Sequence, residues 1–144
     1  MSQVYYNGLY PKRGEIYYIK KSNTTCTGSE TWSDRHAVIV SVNSFNRYSS
    51  VVQVVYITTK PKSKSPTHVD ISTKTTQRIA LCEQVTPVDK SRIVEHKGFV
   101  SPEQMKLIDK AIGYNLGIEN QSEKPIKLRQ KYNSGLDKQP DFVV

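Results

Sequence analysis

The stretch SSVVQVVYITT, residues 49–59, decides how the rest of the chain is read. Val51, Val52, Val54, Val55, Ile57, Thr58 and Thr59 are β-branched, so they are stiff at χ1 and pack well on a pleated surface. The run is far shorter than the roughly 20 apolar residues of a membrane span. It therefore reads as a buried strand. Working back from it, HAVIVSV (36–42) is another strand, with Asn43–Asn46 as turn material between the two. Further back, RGEIYYIKK (13–21) is aromatic and β-branched and reads the same way. Working forward, PTHVDIS (66–72) alternates, with Val69 and Ile71 on one face, and RIALCEQVTPV (78–88) is a fifth strand whose Pro87 marks a bent or edge end. Ile93–Phe99 adds a short further piece. Short strands joined by polar loops predict a small, strongly bent sheet or barrel.

One helix follows the strands. SPEQMKLIDKAIGYNLG (101–117) opens with Ser101 as N-cap, Pro102 at the first helical position and Gln104 in the capping-box position. Met105, Ile108, Ile112 and Leu116 form one apolar stripe, and Gly117 is a stop signal. Beyond Ile118 the chain is polar, with Pro125, Gly135 and Pro140 and no sustained periodicity. The expected organisation is an N-terminal extension at 1–12, a domain at 13–118 and a loosely held tail at 119–144.

The 144 residues make one domain's worth of chain and carry a formal charge of +8. The tail holds +1 of this and the remainder +7, so the excess can be organised on the folded part. Such an excess fits a polyanionic partner without choosing among RNA, DNA, an acidic protein segment and an anionic membrane surface. MSQVYYNGLYPKRG lacks the apolar centre of a signal peptide, and no apolar run is long enough to span a bilayer, so a cytoplasmic protein is expected. Cys26 and Cys82 are too few and too distant for a disulfide scaffold. Cys82 reads as a small buried apolar residue.

His36, His68 and His96 are scattered, with no pair at ligand spacing, so no metal site and no cofactor is expected. There is no phosphate-cradling glycine loop and no G-x-S-x-G nucleophile motif. More informative is GSETWSDRHAVIV (28–40), where a polar run ends in Arg35 as an apolar strand begins. Trp32, three residues earlier, is either a hydrophobic plug or a base-stacking platform. Arg35 either pairs with Asp34 or Glu83, or is kept free to bind a phosphate.

The order of these pieces carries a resemblance. RGEIYYI, then GSE and an arginine before AVIVS, then YSSVVQVVYITT, PTHVDI, LCEQVTPVDKSRI and a helix ending NLGI are similar to the MazF/PemK family of toxin endoribonucleases from about Arg13 to Ile118. The resemblance implies a MazF/PemK/CcdB-like, mainly β fold: a twisted SH3-like barrel with a C-terminal helix, usually a homodimer. It implies metal-independent cleavage of single-stranded RNA, by attack of the 2′-hydroxyl, to 2′,3′-cyclic phosphate and 5′-hydroxyl ends. It also implies a partner antitoxin with an acidic disordered segment.

Residue by residue, the family's essential arginine matches Arg35 and its essential threonine matches Thr58. Its RNA-contacting glutamine matches Gln84, and Ser29 and Glu30 match the lip of the loop. Members commonly carry GGVRP around the arginine, where this chain has WSDRH. The glycines are lost and His36 replaces proline. Lys60, Lys62, Lys64 and Arg78, with Trp32, are expected to follow the RNA. His36 and His68 are candidates for a catalytic or loop role, although His36, next to Arg35 on a strand, should point to the other face. Two rival expectations remain: a non-catalytic nucleic-acid- or protein-binding module, and a topoisomerase-poisoning toxin acting through the helix end of the same fold.

Overall fold

The computed structural model describes residues 4–21 and 35–118. Its elements are β1 (Glu15–Ile19), β2 (Arg35–Ile39), α1 (Asn43–Tyr48), β3 (Val51–Thr58), β4 (His68–Asp70), β5 (Ile79–Asp89), β6 (Ile93–Phe99) and α2 (Pro102–Leu116). The strands form a six-stranded sheet in the order β4-β5-β3-β2-β1-β6, with every neighbouring pair antiparallel. No ladder joins β4 to β6 among the described residues, so the expected barrel is an open sheet.

Period-two alternation sends successive side chains to opposite faces, and both faces are buried. Ile16, Val38, Val55, Ile57 and Ala80 face α2, which contributes Ile108 and Ala111 to that cluster. Tyr17, Ile19, Ala37, Ile39, Val52, Val54 and Tyr56 face the other way, joined by Val88 and Ile93. Val4 and Tyr5, from the expected N-terminal extension, pack on this second cluster. They are tied in by the Tyr6 amide, which donates to Tyr17 Oη (3.1 Å).

Curvature comes from β5. Val55 opposes Val85, but Tyr56 opposes Leu81, so Cys82, Glu83 and Gln84 bulge out of the ladder. Beyond the bulge, among the described residues, β5 pairs only with β3, because β4 covers Ile79–Leu81 alone. Pro87 thus sits on an open edge, where its missing N–H costs no ladder bond.

At 43–46 the chain forms the start of α1, where a turn was expected. The reason is tertiary. Asn46 is fully buried, and its amide donates to the Ser41 carbonyl (2.8 Å) while the Ser41 hydroxyl contacts its oxygen. Helix α2 has the predicted start: Ser101 Oγ accepts from the Gln104 amide (3.0 Å), and the Gln104 side chain accepts from the Ser101 amide (2.9 Å). Gly117 ends it at φ 76°, a left-handed conformation that costs glycine least.

Candidate active site

Arg35 opens β2 and pairs with Ile19 of β1. The β2–β3 ladder sets Ala37 against Tyr56, and the same register carried on along both strands sets Arg35 across from Thr58. Directly opposed residues share a face, so both side chains stand at the rim above the Tyr56 cluster. The guanidinium lies over the Tyr56 ring, 5.0 Å from its centroid, and donates to the Ile57 carbonyl (3.3 Å). Partial burial lowers its pKa from the ordinary arginine value, and Tyr56 opposes the change. Arginine stays charged regardless. Among the described residues no carboxylate lies within ion-pair distance of it: Glu83, one of the partners weighed from sequence, pairs instead with His68.

Thr58 ends β3 opposite Ile79, and Ile79 stands opposite Asp70. Its Oγ1 accepts from the Lys60 amide (3.1 Å). A hydroxyl that accepts still has its own hydrogen to donate, and here the backbone fixes which way the oxygen faces.

Next to this rim lies a cleft of about 550 Å³, lined by Lys62, Ser63, Lys64, Ser65, Pro66, His68, Asp70 and Ile79. Lys60, Lys62 and Lys64 are all exposed on the loop that follows Thr58. His68 sits on the cleft wall, Nδ1 3.0 Å from the Ser63 carbonyl and Nε2 3.3 Å from Glu83 Oε2. Gln84, half-buried, belongs to the β5 bulge, whose Cys82 carbonyl accepts from Asn115 of α2 (3.3 Å).

The structure thus gathers Arg35, Thr58, the loop lysines and His68 at one end of one sheet face. His36 and Arg78 are elsewhere. The His36 ring packs on Tyr18 (5.4 Å), on the face opposite Arg35. Its pKa is lowered by burial first, then by Lys97 and Arg78, with Glu95 opposing. Arg78 follows the same parity, one residue before Ile79, and its Nε is buried without a hydrogen-bond partner among the described residues. Ser29, Glu30 and Trp32 lie outside the described residues. Tyr56, the ring beneath Arg35, was not foreseen as part of the site. Its signal was present, two residues before Thr58 on the same strand face.

Residues 12–116 match the model of a family described as PemK-like, MazF-like toxins of type II toxin–antitoxin systems. Among solved structures, a mycobacterial endoribonuclease in complex with its cognate antitoxin is similar at 23% identity and TM-score 0.64, covering 76% of this chain and 98% of that one. MazF from Deinococcus radiodurans is similar at 20% identity and TM-score 0.65, covering 75% and 97%. The Mycobacterium tuberculosis toxin MazF-mt6 is similar at 15% identity and TM-score 0.59, covering 75% and 100%.

Proposed function

The chain belongs to the PemK-like, MazF-like toxin family, and from that premise we propose that it is an endoribonuclease toxin that cuts single-stranded RNA in the cytoplasm. The observation that carries this reading is Arg35 seated over Tyr56 and bonded to the Ile57 carbonyl, next to Thr58 at the end of β3, with no carboxylate neutralising it among the described residues.

In the proposed reaction the RNA's own 2′-hydroxyl attacks the adjacent phosphorus. The bond to the 5′-oxygen breaks, leaving a 2′,3′-cyclic phosphate and a 5′-hydroxyl. Negative charge builds on the non-bridging oxygens as the fifth bond forms. Arg35 offers a planar fork of donors that match those oxygens, and Tyr56 beneath it holds the fork in place. Thr58 supplies a hydroxyl donor whose oxygen is already fixed by the Lys60 amide. Groups preorganised in this way need not reorient as charge develops. The loop lysines guide the backbone in. Structural relatives that include a toxin with its antitoxin support a similar partner for this chain, one whose acidic segment would lie over the same cationic rim. The functional unit is proposed to be a homodimer.

The test is a digest of a long unstructured RNA in the presence of a chelator. Fragments should appear whose 5′ ends accept phosphate from a polynucleotide kinase without prior phosphatase treatment. Arg35→Ala should slow cleavage by about 10²–10³-fold, the usual consequence of losing one such donor. RNA that is retained but left intact by the unaltered protein would instead favour a binding module. Toxicity that survives in both Arg35→Ala and Thr58→Val would point to a target other than RNA.

A further inference from the structure

The cleft beside the rim mixes chemistries that a track for phosphate alone would not need. Lys62 and Lys64 bring positive charge to it, but Asp70 stands in the same lining, and Ile79 and Pro66 add apolar surface. A carboxylate at that place repels phosphate. The ladders fix where it stands: Thr58 is opposite Ile79, and Ile79 is opposite Asp70. Directly opposed residues share a face. Neighbouring strands lie about 4.8 Å apart, so the Asp70 backbone is about 10 Å from that of Thr58, with Ile79 between them. The Ser72 amide donates to Asp70 Oδ1 (2.9 Å), which orients the carboxylate. Bonds from Ser72 also hold this carboxyl below its ordinary value, so at neutral pH it is ionised and only accepts.

We propose that this cleft reads a base: the nucleotide next to the scissile phosphate lays its base against Ile79 and Pro66 and turns its base-pairing edge to Asp70, and the base selected is guanine. The placement beside the cut rests on the ribonuclease reading. Single-stranded RNA is read through splayed-out bases that pack on side chains and hydrogen-bond along their edges. The cleft, at about 550 Å³, has the size of a small-molecule site. A carboxylate selects a base by the hydrogens that its edge presents. Guanine offers two side by side, on N1 and N2, which match the two carboxylate oxygens. Adenine and cytosine each offer one amino group beside a ring nitrogen whose lone pair the carboxylate repels. Uracil offers one N–H between two carbonyl oxygens, which are repelled as well. Lys62 and Lys64, exposed on the adjoining loop, are left to the flanking phosphates. This is the usual division of labour, in which phosphate contacts position the strand and base contacts specify it.

Two readouts test the subsite, one with cleavage and one without. In a digest of a random-sequence transcript pool, mapped ends should place guanine at one fixed position next to the cut, favoured over each other base by at least about tenfold, the discrimination of a good two-bond pair. A 2′-O-methylated single-stranded RNA lacks the attacking hydroxyl. In that form, oligouridine carrying one guanine should bind about tenfold more tightly than oligouridine alone. Asp70→Asn keeps an oxygen for the Ser72 amide but has no charge and turns a donor toward the base. Its guanine preference should vanish in both readouts, and the other positions of the cleavage motif should stay as they are. A purely structural role for Asp70 would not change one position alone. Cleavage without guanine beside the cut, or a guanine preference that survives in Asp70→Asn, would overturn the subsite and leave the ribonuclease reading standing. Guanine-dependent binding with no cleavage would remove the ribonuclease reading and leave the subsite standing. Failure to bind either oligonucleotide would overturn both.

Discussion

At the scale of single residues, the rim depends on geometry that charge alone does not supply. Arg35→Lys retains a cation but loses the planar fork and the stacking on Tyr56. RNA affinity should therefore change by only a few fold while the cleavage step slows at least about tenfold, as single-turnover kinetics at saturating protein would show. Cys82 illustrates the opposite case. It is fully buried, and burial first, then Glu83 and Asp109, push its thiol up to about 12. The thiolate is the reactive form, so Cys82 should resist alkylation in the folded protein and react only on unfolding. The residue scale was legible from sequence where chemistry is local. Arg35 was marked by a polar run meeting an apolar one, and Cys82 by its apolar neighbours. The partnership of His68 with Glu83 was not, because it spans 15 positions and arises from a bulge that no periodicity announces.

At the scale of elements, α2 and α1 show why some segments declare themselves and others do not. The signals of α2 are all internal: a cap, a proline at the start, a stripe and a terminal glycine. Ser101→Ala removes an acceptor for the Gln104 amide and half of the capping box, and should cost about 1 kcal/mol. Denaturant melts should shift their midpoint without changing slope. Helix α1 is short and owes its existence to contacts outside itself: Asn46 with Ser41, and the Asn43 side chain accepting from the Arg13 amide (2.8 Å). Its asparagines read as turn formers in isolation. β5 lies between these cases. Its apolar residues predicted a strand and Pro87 predicted an edge, but the bulge at Cys82–Gln84 depends on where β4 stops and on Asn115 reaching down from α2.

For the whole molecule, the short apolar runs foretold a bent sheet of strands and one helix with an apolar stripe, but they held nothing about closure, nor that both sheet faces are buried. Whether β4 meets β6 is decided by strand length and twist, and here β4 is only His68–Asp70. Alternation along the strands sorts the basic residues. Residues 1–118 carry +7, yet the charges do not act as one patch. Lys60, Lys62 and Lys64 follow Thr58 on the Arg35 side of the sheet, whereas Arg78 faces His36 on the other. A cation that touches RNA phosphate releases a counterion, and for single strands the logarithm of affinity falls with the logarithm of salt by about 0.7 per contact. Binding of the uncleavable RNA should therefore weaken steeply with salt. Lys62→Ala and Lys64→Ala should each flatten the slope by about that amount, and Arg78→Ala should leave it unchanged, because distance and the intervening sheet screen it from the bound strand. Equal flattening by all three substitutions would mean that the RNA wraps the sheet edge and contacts both faces.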